Sequence, residues 1–235
     1  MSKNSLQALA LQAGVAKRSG LFTRAGKQEL EAALMSPAMQ WQREHWLQLL
    51  QPLDQQVLEA MAWLKAQSKD DVCIARLRTH PGIGLLSALC LVHTLQPVAR
   101  FRNTRKVAAY AGFDPVERSS AEHKRFLGIS KAGSRLLRHL MVEAANIAVR
   151  KDEDLKCFYQ RVAARRGRPK AKVAVARKLL IRAYIMLRDE IDYAEFRRRA
   201  VAARLARLRQ GPPIPAALIG QPASTARQEF LPRGK

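Results

Sequence analysis

Two adjacent hydroxyls, Ser119 and Ser120, lie in a segment that is rich in basic residues. The basic residues that follow are Lys124, Arg125, Lys131, Arg135 and Arg138. A serine hydroxyl is a weak nucleophile until its proton is removed or cations stabilise the developing charge. The pattern therefore indicates either attack on a phosphodiester or phosphate binding. A Ser-Ser pair is also common on surfaces and at helix N-caps, so residue types alone leave both explanations open.

A second basic cluster occupies 161–178, RVAARRGRPKAKVAVARK. Gly167 and Pro169 are expected to break the helical pattern, which resumes at Val173. The candidate phosphate-binding residues here are Arg165, Arg166, Arg168, Lys170 and Lys172. A solvated charged face is the alternative. Because so few acids are nearby to neutralise the run, the pattern favours a phosphate clamp.

A third candidate is the turn Pro81-Gly82-Ile83-Gly84 between the predicted helices Val72–Arg78 and Leu85–Leu95. This order resembles a helix-hairpin-helix element, in which glycine admits a close ligand and the next helix offers free N–H groups to a phosphate. Arg76, Arg78, Gly82 and Gly84 are the candidate backbone contacts. An ordinary turn between core helices would need glycine for the same conformational reason.

Two cysteines and two histidines lie close together in the sequence but do not predict a metal site. They are Cys73, His80, Cys90 and His93. Their spacing differs from that of structural zinc ligands, and Cys90 and His93 fall on an apolar helix. The sequence contains no Gly-rich phosphate loop and no HExxH motif. We therefore expect no cofactor or metal in this chain.

The composition indicates a folded protein that binds a polyanion. The 235 residues include 42 Lys+Arg and 19 Asp+Glu, a formal net charge of +23. Nucleic acid, above all double-stranded DNA, is the expected partner. No apolar run approaches the roughly 20 residues that cross a bilayer, and no signal peptide is predicted. Three widely spaced cysteines are typical of reduced thiols, so we expect a cytoplasmic, nucleoid-associated protein.

The hydrophobic periodicity predicts a mainly α fold in four parts. These are a helical connector or coiled-coil arm at 1–70, a compact DNA-binding domain at 71–193, a basic helix at 194–210 and a disordered tail at 211–235. In the first part, apolar residues between Leu30 and Leu64 recur at helical spacing, with Pro37 and Pro52 as breaks. Core packing is expected to account for these leucines and tryptophans.

The second part should hold further helices around an irregular Ser-Ser loop. The predicted helices are Thr104–Ala111, Gly133–Arg150, Asp152–Ala164 and Val173–Arg188. Strand signals are nearly absent. A short hairpin around Glu117–Ile129 is the alternative to the loop.

Several of these segments, in this order, resemble a known family. They are PGIG with its apolar helix, FRNTRKVAAYAGFDP, the Ser-Ser segment, LGISKAGSRLLRHLMVEAA and CFYQRVAARRGRPKAKVAVARKLL. Together they are similar to the C-terminal, serine-bearing domain of insertion-sequence-110/116/902-type transposases, the group related to the Piv DNA invertase. The resemblance extends over about 76–193 and, more weakly, to the helical arm before it.

The resemblance implies a DNA recombinase with an essential serine, which maps onto Ser119 or Ser120. It also implies a helical connector, a preceding RNase H-like domain with acidic residues that hold a divalent metal such as magnesium, and in some members a structured guide RNA. Here the first acid is Glu29, so that acidic domain is expected to be missing. Many relatives place glycine after the serines, whereas this chain has Ala121-Glu122.

The expected function is therefore DNA transposition by a truncated transposase that contributes a nucleophilic serine. It would act as a homo-oligomer or together with full-length transposase. The alternative is a non-catalytic DNA- or RNA-binding remnant or regulator. Whether the chain is an enzyme by itself stays open.

Overall fold

The computed structural model describes residues 2–15, 20–120 and 123–209, with only the main chain described for 117–120, 123–127 and 207–209. The fold is mainly α, as the sequence predicts. The expected disordered tail at 211–235 lies outside the described residues. The chain divides into two compact units, 1–70 and 71–235. Among the described helices, none is both long and apolar enough to cross a bilayer.

The described residues of unit 1 form three helices, α1 (Ser2–Gln12), α2 (Arg24–Ala32) and α3 (Pro37–Gln67). Thr23 caps α2 by accepting the Gly26 N–H, and Ser36 caps α3 by accepting the Met39 N–H. Pro37 starts α3 because the first helical position needs no N–H partner and its fixed φ already suits a helix. The buried hydrophobic residues described in this unit are Leu6, Leu9, Ala10, Val15, Leu21, Leu30 and Leu50.

Two expectations about unit 1 are wrong. Pro52 lies inside α3 and does not end it. A proline removes one backbone hydrogen bond, which a helix of 31 residues tolerates. The apolar residues of α3 beyond Leu50 are also largely not core residues: 51–60 are exposed throughout, with Val57 61% accessible. Helical spacing gave the right element but not the burial.

Unit 2 begins with α4 (Val72–Arg78), α5 (Leu85–Leu95), a 3-10 turn at Val98–Arg100 and α6 (Thr104–Tyr110). Strands β1 (Pro115–Ser120) and β2 (His123–Ile129) follow. The last helices are α7 (Arg135–Lys151), α8 (Glu153–Arg166), α9 (Arg168–Arg188) and α10 (Tyr193–Arg209). Each helix predicted in 71–193 is present, with ends that shift by a few residues. The largest shift is in α9, which begins at Arg168 rather than Val173 because Pro169 is accepted in a first helical turn.

Helix α9 forms the centre of unit 2. It contacts α4, α6, α7 and α8, and its buried side chains include Val175, Leu179 and Leu180. Buried Tyr184 donates its hydroxyl to the Phe101 carbonyl oxygen at 3.0 Å. Burial on several faces explains why this helix has apolar residues around most of its circumference.

A buried ionic cluster joins α8, α9 and α10. Asp152 caps α8 by accepting the Leu155 N–H, and it also accepts from Arg182 and from the Tyr193 hydroxyl. Burial alone would raise the pKa of Asp152, but the hydrogen bonds from Tyr193, Leu155 and Arg182 lower it below its ordinary value. Burial and the bond to Asp152 raise the pKa of Tyr193 to about 12. The carboxylate thus stays charged and holds the first turn of α10.

Candidate nucleic-acid interface

The Ser-Ser segment is part of a two-stranded antiparallel hairpin rather than an irregular loop. In the main-chain register, Ser119 pairs with Lys124 and Ser120 pairs with His123. Cross-strand hydrogen bonding gives the segment a regular backbone that its composition did not predict. Ala121 and Glu122 lie outside the described residues. The hairpin therefore places a basic residue directly opposite Ser119 along the ladder.

Close backbone contacts hold the base of this hairpin. Gly112 and Gly133 both have φ of +73°, and a Cβ on either would lie 2.0 Å from a carbonyl oxygen. Ser130 donates its hydroxyl to the Asp114 carboxylate, and the Lys131 N–H donates to the Gly112 carbonyl at 3.2 Å. Only glycine fits such a crossing, so the start and end of the hairpin are fixed relative to each other.

Arg138, a candidate phosphate contact, is engaged at this hairpin base. Its Nη1 donates to the carbonyl oxygens of Ala111 and Gly133 at 3.3 and 3.2 Å, and also to that of Ala132. These bonds link α7 to both ends of the hairpin. Lys131 and Arg135, by contrast, are exposed near the start of α7. The side chains of Lys124 and Arg125 lie outside the description.

The two glycines of the Gly-Ile-Gly turn differ in what surrounds them. Gly82 has φ of +98°, and a Cβ there would lie 2.6 Å from the Ala144 carbonyl oxygen in α7. Its close approach is thus to the protein. Gly84 is exposed at the start of α5, where an added Cβ would have no neighbour within 4 Å. Gly84 has no side chain to cap α5, so the first N–H groups of that helix are left for another acceptor. A phosphate contact would require such free N–H groups.

The two arginines before this turn also differ. Arg76 is mostly buried and forms an ion pair with Glu190 at 3.7 Å. Arg78 is exposed at the end of α4. Of the two, Arg78 is therefore the one whose charge faces water.

The junction between α8 and α9 is the densest exposed basic feature of unit 2. The five predicted phosphate-binding residues of this segment are all exposed: Arg165, Arg166, Arg168, Lys170 and Lys172. Within the described part of the chain, none of them has an ion-pair partner. Gly167, with φ of +83°, ends α8 and starts α9 without a side-chain cap. The junction thus combines free cations with unpaired N–H groups at a helix start.

Two basic residues at the ends of the 161–178 cluster, not named among the five candidates, also lie beside this junction. Lys178 lies over the Phe158 ring at 4.5 Å, and Arg161 lies over the same ring at 5.8 Å. Burial, and then the nearby Arg182 charge, lower the pKa of Lys178. Their position on facing helices could not be read from spacing within either helix alone.

A separate basic group around the start of α6 was missed by the sequence analysis. Arg102, Arg105 and Lys106 are exposed there, shortly before the hairpin. Arg100 packs its guanidinium on the rings of Phe101 and Tyr110, both at 4.6 Å. The signal that could have found them was the run of four basic residues between 100 and 106.

The described residues contain no group of three His, Cys, Asp or Glu side chains that could hold a metal ion. His80 is buried with Nδ1 at 2.8 Å from the Pro81 carbonyl oxygen, whereas His93 is exposed. Cys73, Cys90 and Cys157 are free thiols. This part of the chain thus supplies no donor set for the divalent metal that the resemblance implies.

Comparison with known proteins finds transposases. Residues 74–160 match the family described as "Transposase IS116/IS110/IS902 family". The "Transposase for insertion sequence element IS1111A" of Coxiella burnetii is 32% identical over 119 residues, 49% of this chain and 33% of the relative. The "Transposase for insertion sequence element IS1328" of Yersinia enterocolitica is 33% identical over 101 residues, 43% of this chain and 30% of the relative.

A "Probable family 20 transposase" of Pseudomonas aeruginosa is 32% identical over 101 residues, again 30% of its own length. The chain thus matches only about a third of each of these relatives. The family match begins in α4, includes α5, α6, the serine hairpin and α7, and ends in α8. Over residues 74–160 the chain therefore resembles the IS116/IS110/IS902 family of transposases.

Proposed function

We propose that this chain acts in DNA transposition, binding duplex DNA through unit 2 and contributing a serine nucleophile from the β1–β2 hairpin. The observation that carries the DNA-binding part is the exposed α8–α9 junction, with its five cations free of ion pairs among the described residues. The transposase relatives support the reaction class. Contacts of this kind hold the phosphate backbone without reading base sequence.

Other exposed positions would extend the backbone contact. Arg78 and Gly84 lie on either side of the α4–α5 turn, and Lys131 and Arg135 lie where the hairpin leads into α7. We assign Gly82 and Arg138 to positioning, because they hold the turn and the hairpin base through protein contacts. Arg76 is assigned to the ion pair with Glu190.

The proposed chemistry is nucleophilic substitution at a DNA phosphodiester. The hydroxyl oxygen of Ser119 or Ser120 forms a bond to phosphorus while the bond from phosphorus to one deoxyribose oxygen breaks. The serine proton passes to a base, and the leaving oxygen takes up a proton. Cations near the hairpin, among them Lys124 opposite Ser119 in the ladder, would stabilise the extra negative charge.

A strand-transfer assay with magnesium tests the serine. It is run with the chain alone and with the RNase H-like domain of a relative supplied separately. Ser119→Ala with Ser120→Ala should abolish both product and the covalent protein–DNA adduct, while duplex binding stays unchanged. The two single variants identify the nucleophile. Product formation by the double variant would falsify the serine assignment.

DNA binding is tested separately by its salt dependence. Neutralising phosphates releases counterions, so log affinity should fall with log salt by about 0.9 per contact. Replacing Arg165, Arg166 and Arg168 by Ala should reduce that slope by about two to three. Arg198 and Arg199 are the matched control, because both pair with Glu195 on α10. An unchanged slope in the triple variant would show that the junction is not the binding face.

We also propose that the exposed face of α3 joins two copies of the chain. Leu53, Val57 and Leu64 recur at the spacing of coiled-coil seam positions, and 51–60 are exposed. Leu53→Glu with Val57→Glu should convert a dimer to a monomer in sedimentation velocity, whereas exposed Gln56→Glu should not. A wild-type chain that stays monomeric at tens of micromolar contradicts this proposal.

A further inference from the structure

An aromatic cleft lies between α1 and α3 in unit 1, apart from the serine hairpin and the α8–α9 junction. Its volume is about 400 Å³. The residues that matter for its chemistry are Leu9, Gln12, Trp41, Gln42, His45 and Trp46. The cleft therefore combines flat rings with two primary amides, and no Lys, Arg, Asp or Glu lines it.

The rings are arranged as a stacking surface. Trp41 and His45, one helical turn apart on α3, are parallel within 5° with centroids 5.4 Å apart. His45 meets Trp46 edge-on, at 6.0 Å and 63°. Trp41 is 66% exposed although it is the bulkiest side-chain type. A ring surface of this size, left open to water, gains free energy when a flat apolar face covers it.

Core packing explains only part of this group. Trp46 is half-buried and packs against the core of unit 1, as an ordinary core residue would. Trp41 and His45 are exposed and lie outside that core. Their stacked arrangement is thus the feature that folding of unit 1 does not account for.

The chemistry of the cleft matches one kind of ligand. A nucleobase has two π-faces that stack on aromatic rings and a polar edge that an amide can both donate to and accept from. Neither Lys nor Arg lines the cleft to hold a phosphate, and His45 is its one lining residue of a type that commonly binds metal ions. A base in a duplex is already stacked on both faces, so only an unpaired base can enter.

The charge of the chain as a whole favours a nucleic acid over other flat ligands. The whole chain has a formal net charge of +23. Such a chain attracts a polyanion, and stacking then adds affinity for a strand whose bases are free.

We propose that the Trp41–His45 cleft binds an unpaired base of single-stranded nucleic acid, DNA or RNA. This goes beyond the duplex-backbone contact of unit 2. The test uses the full chain and measures affinity for a poly-dT oligonucleotide, a poly-U oligonucleotide of equal length, and a duplex. The readout is the ratio of single-strand to duplex affinity, which cancels changes in general charge attraction.

Trp41→Ala should lower that ratio about fivefold to hundredfold, the range expected for losing one stacked base. Trp41→Phe keeps a ring face and should retain most of the binding. Trp63→Ala is the matched control, because Trp63 is a similarly exposed tryptophan on the same helix but outside the cleft. The tighter of the two single strands identifies the natural ligand as DNA or RNA.

A second readout does not depend on the alanine variant folding. The chain has three tryptophans, so Trp63→Phe leaves Trp41 and Trp46 as the only ones. Stacking of a base should quench their fluorescence on addition of the single strand and not of the duplex. An unchanged ratio in Trp41→Ala, or equal quenching by both nucleic acids, overturns the proposal. So does a Trp41→Ala variant that loses self-association but keeps the ratio, because the cleft would then cover protein.

Discussion

Units 1 and 2 are both built from amphipathic helices, yet they bury their apolar residues to very different extents. In unit 2, α9 is packed on several sides, and Leu179 and Leu180 are fully buried. In unit 1, α3 leaves Leu53, Val57, Leu58 and Trp63 between 48% and 65% exposed. The same helical period thus accompanies a core in one unit and an open surface in the other.

Helix length explains the difference. A 31-residue helix is about 46 Å long, whereas α1 and α2, with 11 and 9 residues, span only about 16 and 14 Å. Two short helices cannot cover the long one, so 51–60 stay exposed. Apolar periodicity therefore predicts a helix face that needs a partner, but it does not show that the same unit provides that partner.

The largest expected difference concerns the buried ion pair of unit 2. Arg182→Met removes the nearer arginine from buried Asp152, leaving Arg197 at 3.7 Å, and should lower the free energy of unfolding by about 3–5 kcal/mol. Arg188→Met, on the same helix but in an exposed pair with Asp189, should cost about 1 kcal/mol or less.

Urea unfolding can assign this loss to one unit. All three tryptophans lie in unit 1, and all four tyrosines lie in unit 2. With Arg182→Met, far-UV circular dichroism should show early unfolding while the tryptophan transition stays in place. An equal shift of both signals would mean that the two units unfold together. The difference in burial between units 1 and 2 would then not produce a difference in their stability.

The next prediction applies one substitution to both units. Leu179→Ala removes a fully buried side chain and should cost about 2–5 kcal/mol. Leu53→Ala removes one that is half exposed and should change the monomer by no more than about 0.5 kcal/mol. Urea unfolding at low protein concentration measures both. A large loss for Leu53→Ala under those conditions would show that α3 is covered within the monomer.

The third prediction concerns acid sensitivity, which should arise in unit 2. Burial lowers the pKa of His80 to about 4 from an ordinary value of 6.5, so the unfolded chain binds this proton more readily than the folded chain. The resulting stability is complete above about pH 6.5 and is lost as the pH falls towards 4. The loss at pH 4 should approach about 3 kcal/mol.

His80→Asn should flatten the pH dependence of the unfolding free energy between 6.5 and 4. His93→Gln, which replaces an exposed ring on α5, should leave it as in the wild type. The measurement is a series of urea titrations across that pH range, compared between variants because carboxylates titrate at its lower end. Identical slopes for wild type and His80→Asn would contradict a role for this ring.

Much of unit 2 could be predicted from the sequence. The helices predicted at Val72–Arg78 and Leu85–Leu95, on either side of the Pro81–Gly84 turn, agree with α4 and α5. The serine hairpin was only an alternative, because Glu117, Arg118 and Ser119 have no alternating apolar pattern. Its strands depend on pairing with each other and on the Gly112–Gly133 crossing, which are not local in sequence.

The candidate site likewise contains some residues whose environment could be predicted and others whose environment could not. The exposed cations of the α8–α9 junction were predicted, because the side chains of a dense basic run with few acids must contact water or a polyanion. The engagement of Arg138, Arg76 and Gly82 with protein groups was not predicted. Each depends on a neighbour that is distant in sequence: the hairpin base, Glu190 and α7.

By itself, the sequence determined the mainly α fold, the excess of positive charge and the order of motifs shared with transposases, because propensity, charge and motif order are local or additive. Only the tertiary structure decided which of these residues are available to contact a ligand or partner. Packing of distant segments paired Arg76 with Glu190 and occupied Arg138, exposed the α3 face, and brought Trp41 and His45 to the edge of a cleft with α1. Availability depends on which neighbours fill the space around a side chain, and that is a property of the folded chain.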